Sequence, residues 1–235
     1  MIDVQHTFHK ADLERVLRSL HDLPEHLSPT YFSFDEGKFS ILDRVDKEAR
    51  FRNFVSEAKS GFFLYSERTF YGFVFASTTF RVSVFDVQID DGLLIFRSLA
   101  NGGSMFGVAA NGGEYEHRNL LKVTHANGTS EAWVGRDLSK YVPGLYWRTW
   151  FSSQYLLERG LQHSMLCRCS AEVVERPDGY EYCFFLNPDL WLENVNWLDR
   201  LCEETPGIFS SSVAREAFEQ ARGMQERVKA LKDWP

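Results

Sequence analysis

Three observations predict an α+β fold with a mostly antiparallel sheet and helices packed on one face. Amphipathic helical stripes lie towards both ends of the chain, turn-bounded runs rich in Phe, Tyr, Val and Thr fill much of the middle, and a hairpin followed by a helix closes it. No low-complexity linker or charge run divides the 235 residues. Residues 1–235 are therefore expected to form one domain, either a single compact unit or two pseudo-equivalent lobes.

Leu13, Val16, Leu17 and Leu20 recur at helical spacing, with Asp12, Glu14, Arg15 and Arg18 opposite, which predicts a helix from Phe8 to about Asp22. Pro24 and Pro29 stop it. A second helix is expected over 43–59, where Ser40 and Asp43 resemble a capping box, Phe51, Phe54, Val55 and Ala58 form the stripe, and Gly61 supplies the C-terminal cap. Between Gly61 and Ile89 two or three strands are expected, with plain alternation from Phe80 to Val87, and Asp90-Asp91-Gly92 reads as the turn that ends them. Leu93 to Leu99 has no decisive period and is open between a strand and a short helix.

Asn101-Gly102-Gly103 and Asn111-Gly112-Gly113 bracket a short strand, and Asn127-Gly128 separates two arms of a hairpin, 120–126 and 129–134. Ser152 or Ser153 can cap a short helix through Leu157 that ends at Gly160. Leu166 to Arg176 and Tyr180 to Leu186 read as a hairpin turning at Pro177-Asp178-Gly179. Asn187-Pro188 then opens a helix with Trp191, Val195, Leu198 and Cys202 on one face, ended by Pro206-Gly207. The last helix is expected from about Ser212 to Leu231, burying Val213, Ala217, Ala221, Met224, Val228 and Leu231.

The composition excludes several classes. The longest uncharged apolar runs, Gly61 to Tyr65 and Tyr71 to Phe80, fall far below the roughly 18 residues that a membrane span needs, so no membrane partner is expected. The first twenty residues carry several charged side chains and no apolar signal core, and the four cysteines are few for the length, so a cytoplasmic location with reduced thiols is expected. A net charge of −7 without a basic cluster argues against a nucleic-acid partner and leaves an acidic surface suited to solubility or to a basic protein.

Each candidate catalytic or ligand-binding feature has a plainer explanation. Cys167 and Cys169, two apart on an expected strand, with Cys183 across the hairpin, lack the C-x-x-C knuckle and partner histidine of a structural zinc site, so neither metal nor cofactor is expected. The Asn-Gly-Gly turns lack the lysine and hydroxyl of a phosphate loop. Glu114, Glu116, His117 and Arg118 could offer paired carboxylates, and they read as a solvated acidic loop. With Asp90 and Asp91, Glu114 and Glu116 make a candidate face for a basic partner, since each pair adjoins a glycine-containing turn. Trp133, Tyr146, Trp147 and Trp150 read as core, with a sugar- or base-stacking surface as the alternative.

One segment carries a resemblance. Gly135-Arg136-Asp137-Leu138, then Tyr141-Val142-Pro143-Gly144-Leu145-Tyr146-Trp147, then the short helix from Phe151 to Gly160, resemble bacterial immunity proteins of polymorphic-toxin and type VI secretion systems, nearest to the immunity protein 52 family. The likeness is concentrated in 114–197, and where such relatives continue with Asn-Tyr or Asn-Phe this chain has Arg148-Thr149. The resemblance implies a non-enzymatic cytoplasmic protein that binds a cognate toxin effector and occludes its active site. Arg136, Asp137, Pro143, Gly144, Tyr146 and Trp147 are then structural, with the Pro-Gly turn setting a strand-to-helix corner that buries both rings. The rival expectation is a small-molecule-binding or hydrolytic enzyme with an aromatic pocket around Trp133 and Trp147.

Overall fold

The computed structural model describes residues 1–34, 43–44, 55–125, 128–133 and 141–232. The chain forms two compact units, each made of three separate stretches: Met1–Ala109, Thr149–Tyr155 and Val174–Glu181 in the first, Ala110–Arg148, Leu156–Val173 and Tyr182–Pro235 in the second. In chain order the elements are β1 (Ile2–His9), α1 (Leu13–His21), β2 (Tyr31–Ser33), β3 (Asp43–Arg44), β4 (Gly61–Tyr65), β5 (Phe70–Phe75), β6 (Thr79–Val87), α2 (Ile89–Asn101), β7 (Phe106–Ala110), α3 (Gly112–Asn119), β8 (Leu120–His125) and β9 (Gly128–Trp133). There follow β10 (Arg148–Ser152), α4 (Ser153–Glu158), α5 (His163–Cys169), β11 (Glu172–Arg176), β12 (Gly179–Cys183), α6 (Trp191–Glu204), α7 (Ser211–Gln220) and α8 (Met224–Lys232). The fold is α+β, and no helix among the described residues is long and apolar enough to cross a membrane.

The first unit is organised by a ten-stranded sheet in the order β11-β12-β10-β7-β1-β6-β5-β4-β2-β3. All the pairings from β1 through β6, β5, β4 and β2 to β3 are antiparallel. Strand β1 alternates by burial, with Ile2, Val4, His6 and Phe8 fully buried and the residues between them partly exposed. A row of rings crosses neighbouring strands: Phe8 stacks on Phe80 at 5.0 Å, Phe80 on Phe73 at 6.0 Å, and Phe73 on Phe62 at 4.4 Å. Such cross-strand aromatic pairs fix register as well as burying area. Helices α1 and α2 pack together, and α2 lies on β1.

In the second unit β8 and β9 form a separate antiparallel hairpin in register from Leu120↔Trp133 to His125↔Gly128. The stretch through the Pro-Gly turn has no regular structure; Val142 is tied by its N–H to the Gly207 carbonyl at 2.8 Å, and its own carbonyl accepts the Phe209 N–H at 2.7 Å. Gly144 sits at φ 131°, a conformation that side chains rarely adopt. Leu121, Tyr141, Phe209, Ala214 and Phe218 form one apolar cluster.

Several expectations are corrected. Phe8 belongs to β1, a 3-10 turn covers Lys10–Asp12, and the first α-helix starts at Leu13. Asp43–Arg44 is a strand instead of a helix start, Val55–Glu57 is helical as expected, and most of the remainder of the 43–59 helix lies outside the described residues. Asp90-Asp91-Gly92 forms the first turn of α2, not a turn between elements: acidic side chains suit a helix N-terminus, and Gly92 permits close approach, since a Cβ there would meet Ile2 Cδ1 at 2.6 Å. Asn111 caps α3, its side chain accepting the Gly113 N–H at 2.9 Å, so Glu114 to Arg118 are helical where a loop was expected. Cys167 and Cys169 lie on α5, not on a strand. The expected C-terminal helix is two, because Ala221 turns extended at ψ 131° and the Arg222 N–H is taken by the Glu226 carboxylate at 2.7 Å; Val213 is 39% exposed, and the buried residues of α7 are Ser211, Ala214 and Phe218.

Candidate functional site

In the second unit, α3 presents Glu114 and Arg118 one turn apart to the interior, 1% and 2% exposed, although both are charged types that avoid full burial. A chain of bonds accounts for them. Glu114 Oε1 accepts from Arg118 Nε at 3.3 Å, and its two oxygens take the Trp147 backbone N–H at 3.0 and 3.2 Å. Arg118 Nη1 donates to Asp199 Oδ1 of α6 at 2.6 Å, and Asp199 Oδ2 faces His117 Nε2 at 3.1 Å. On the other side of the imidazole, Arg215 of α7 donates from Nη2 to the His117 carbonyl at 2.8 Å and lies with Nη1 3.4 Å from Nδ1. A guanidinium can only donate, so Nδ1 is the acceptor and Nε2 carries the proton given to Asp199.

Burial pushes the Glu114 carboxyl up to about 7, with Arg118 and the Trp147 N–H offsetting part of the rise. For Arg118, burial pulls downward, but Glu114 and other neighbours, Asp199 among them, hold the guanidinium above its ordinary value. Burial would raise Asp199, and its bonds to His117 and Arg118 outweigh that and keep it below the usual carboxylate range. The Cys202 thiol is pushed up to about 11 by burial, which removes it as a nucleophile.

Because the folded pKa of Glu114 lies above its ordinary value, its contribution to stability is fully present below about pH 4.5 and is lost as pH rises through about 7. Urea unfolding at pH 5 and pH 8 should show a stability decrease with rising pH from this group that Glu114→Gln removes; an unchanged slope in the variant would assign the decrease to other groups.

Beside this network a cleft of about 460 Å³ is lined by Gly113, Glu116, His117, Leu120, Trp191 and Arg215. Gly113 lets the Trp191 ring lie against the helix, since a Cβ there would meet Trp191 Cζ2 at 2.8 Å. The Trp191 and His117 rings are 5.9 Å apart.

Of the residues expected to form a basic-partner face, Asp90 and Glu116 are exposed, whereas Asp91 and Glu114 are buried. Asp91 faces His26 Nε2 at 3.2 Å and Arg68 Nη1 at 3.4 Å. The structure therefore corrects the expectation that each pair projects into solvent. Tyr146 and Trp147 are 1% and 2% exposed, as expected for core, and Pro143 and Gly144 are buried with them. The Pro-Gly turn leads into β10 before α4 begins, so the corner runs through a strand. Arg136 and Asp137 lie outside the described residues, as does the side chain of Trp133. Sequence reasoning missed His117, Trp191, Asp199 and Arg215 as one constellation; His117 and Arg118 adjoining Glu114 were the only visible part of it.

In the first unit His6 and Ser104 also meet, Nδ1 to Oγ at 2.8 Å, but Ser104 is 1% exposed and its hydroxyl also lies 2.9 Å from the Phe106 carbonyl, so the pair is closed to a substrate.

No protein-family model matches the chain, and no curated protein matches it. Among solved structures it is similar to Pseudomonas aeruginosa T6SS protein PA0821, at 13% identity and a TM-score of 0.47, over 77% of this chain and 64% of that one. At that level the likeness assigns this chain neither a fold family nor a function.

Proposed function

We propose that the chain is an immunity protein that binds a cognate toxin effector and occludes its active site, without catalytic activity of its own. The observation that carries this reading is the inward-turned charged cluster, in which Glu114, Arg118, Asp199 and His117 bond to one another and to the Trp147 backbone. Two of the motif residues that carry the immunity-protein resemblance rest on that cluster, Trp147 through its N–H to Glu114 and Tyr146 with its ring centre 5.7 Å from the Arg118 guanidinium. Leu186, Leu190 and Leu192 are 76%, 43% and 66% exposed, which leaves apolar side chains available to a partner. The enzyme reading with a pocket around Trp133 and Trp147 draws no support from Trp147, which is buried.

The test is co-expression with the product of a toxin-like reading frame adjacent to this gene. Host survival and a stable complex are expected; survival unchanged by this chain, with no complex formed, would sink the proposal. Charge should act on association, so Asp90→Lys and Glu116→Lys together should slow binding to a basic toxin by about tenfold at low salt and less at high salt. Unchanged association rates at both salt levels would place the interface elsewhere.

A further inference from the structure

We propose that the cleft lined by Gly113, Glu116, His117, Leu120, Trp191 and Arg215 is a binding site for a small aryl or alkyl carboxylate, with Arg215 receiving the carboxylate and Trp191 and Leu120 the apolar body. The inference is independent of the toxin-binding reading. Arg215 is half-buried, and among the described residues its partners are two neutral acceptors, the His117 carbonyl and Nδ1. A guanidinium has five N–H donors in a fixed fork, so donors remain for a planar anion.

The buried network sets the position of that guanidinium. Glu114 orients Arg118, Arg118 and His117 share Asp199, and the Nε2–H bond to Asp199 leaves His117 Nδ1 as an acceptor for Arg215. The contacts thus run from Asp199 on α6 through His117 on α3 to Arg215 on α7, as expected of a preorganised receptor. The lining sets the ligand's charge and shape. Arg215 is the one cation among the lining residues and Glu116 adds a negative charge, so a monoanion is favoured over a phosphate dianion. The volume of about 460 Å³ lies in the range of small-molecule sites, and the indole offers a flat apolar wall.

The experiment is calorimetric titration of the full chain with phenylacetate, phenyl phosphate and benzyl alcohol. Phenylacetate is expected to bind, phenyl phosphate more weakly, and benzyl alcohol more weakly still. Arg215→Met should weaken phenylacetate at least about tenfold, the ordinary loss for a charge-assisted bond, while leaving benzyl alcohol unchanged. Arg215→Lys, which keeps the charge and loses the fork, should fall between. Thermal melts establish that each variant is folded, and Trp191→Leu supplies a second variant on a different wall that should weaken all three probes. No binding of phenylacetate to the wild type, equal affinity for phenylacetate and benzyl alcohol, or undiminished phenylacetate binding in folded Arg215→Met would each overturn the assignment.

Discussion

Acidification should destabilise the first unit through His6. Its imidazole is fully buried on β1, and burial lowers its pKa from 6.5 to about 3, so the folded state holds it neutral. For a base whose folded pKa is depressed, the stabilising contribution is present above the unfolded value and is lost as pH falls from about 6.5 towards 3. The full loss is on the order of 5 kcal/mol, about half of it by the middle of that window. Protonation would place a cation beside Phe96, whose ring centre lies 4.7 Å from that of the imidazole, and against Gly107, where even a methyl group would collide with the ring. Glu114 acts in the opposite sense between about pH 4.5 and 7, so the measurement belongs in a Glu114→Gln background. In that background, urea midpoints at pH 7.5 and 4 should diverge with His6 present and converge in His6→Gln; equal acid loss in both proteins would remove His6 as the cause.

Truncating Trp147 should be comparably severe. The ring is 2% exposed, with the Arg148 guanidinium 5.2 Å from its centre, and its backbone joins Glu114 through the N–H and Phe184 through the carbonyl at 2.9 Å. Emptying a site of this size costs about 3 to 5 kcal/mol. Trp147→Phe should cost much less, since it keeps most of the ring and removes an indole N–H that has no partner among the described residues. Chemical denaturation of both variants checks the order. A Trp147→Ala protein as stable as the wild type, altered only in partner binding, would transfer this residue from core to interface.

How far the sequence could be read depended on whether local pattern and long-range packing agreed. The 172–183 hairpin, the 120–133 hairpin and the start at Asn187-Pro188 were readable because turn chemistry and alternation coincide there; the Asn187 side chain accepts the Asp189 N–H at 3.0 Å. Strand β1 was missed because His6 occupies an inward position and breaks an otherwise apolar alternation of Ile2, Val4 and Phe8. Gly92 misled because glycine signals a turn locally, whereas here it admits Ile2 and Val87 against a helix. The site was hidden for a related reason. His117, Asp199 and Arg215 lie on three helices of one unit, and a charge that is solvated in one helix face is indistinguishable by spacing from one that meets a partner eighty residues away.

The division of the chain has a consequence for how such a protein can change. Each compact unit is stitched from three stretches that alternate along the sequence. A gene fragment ending at Ala109 would encode β1 to β6 and most of β7 yet lack β10, β11 and β12 of the same sheet. No single recombination event can therefore exchange one unit for a relative's, and no simple truncation can deliver one intact. Substitutions at exposed positions such as the leucines, by contrast, leave the stretches of both units together.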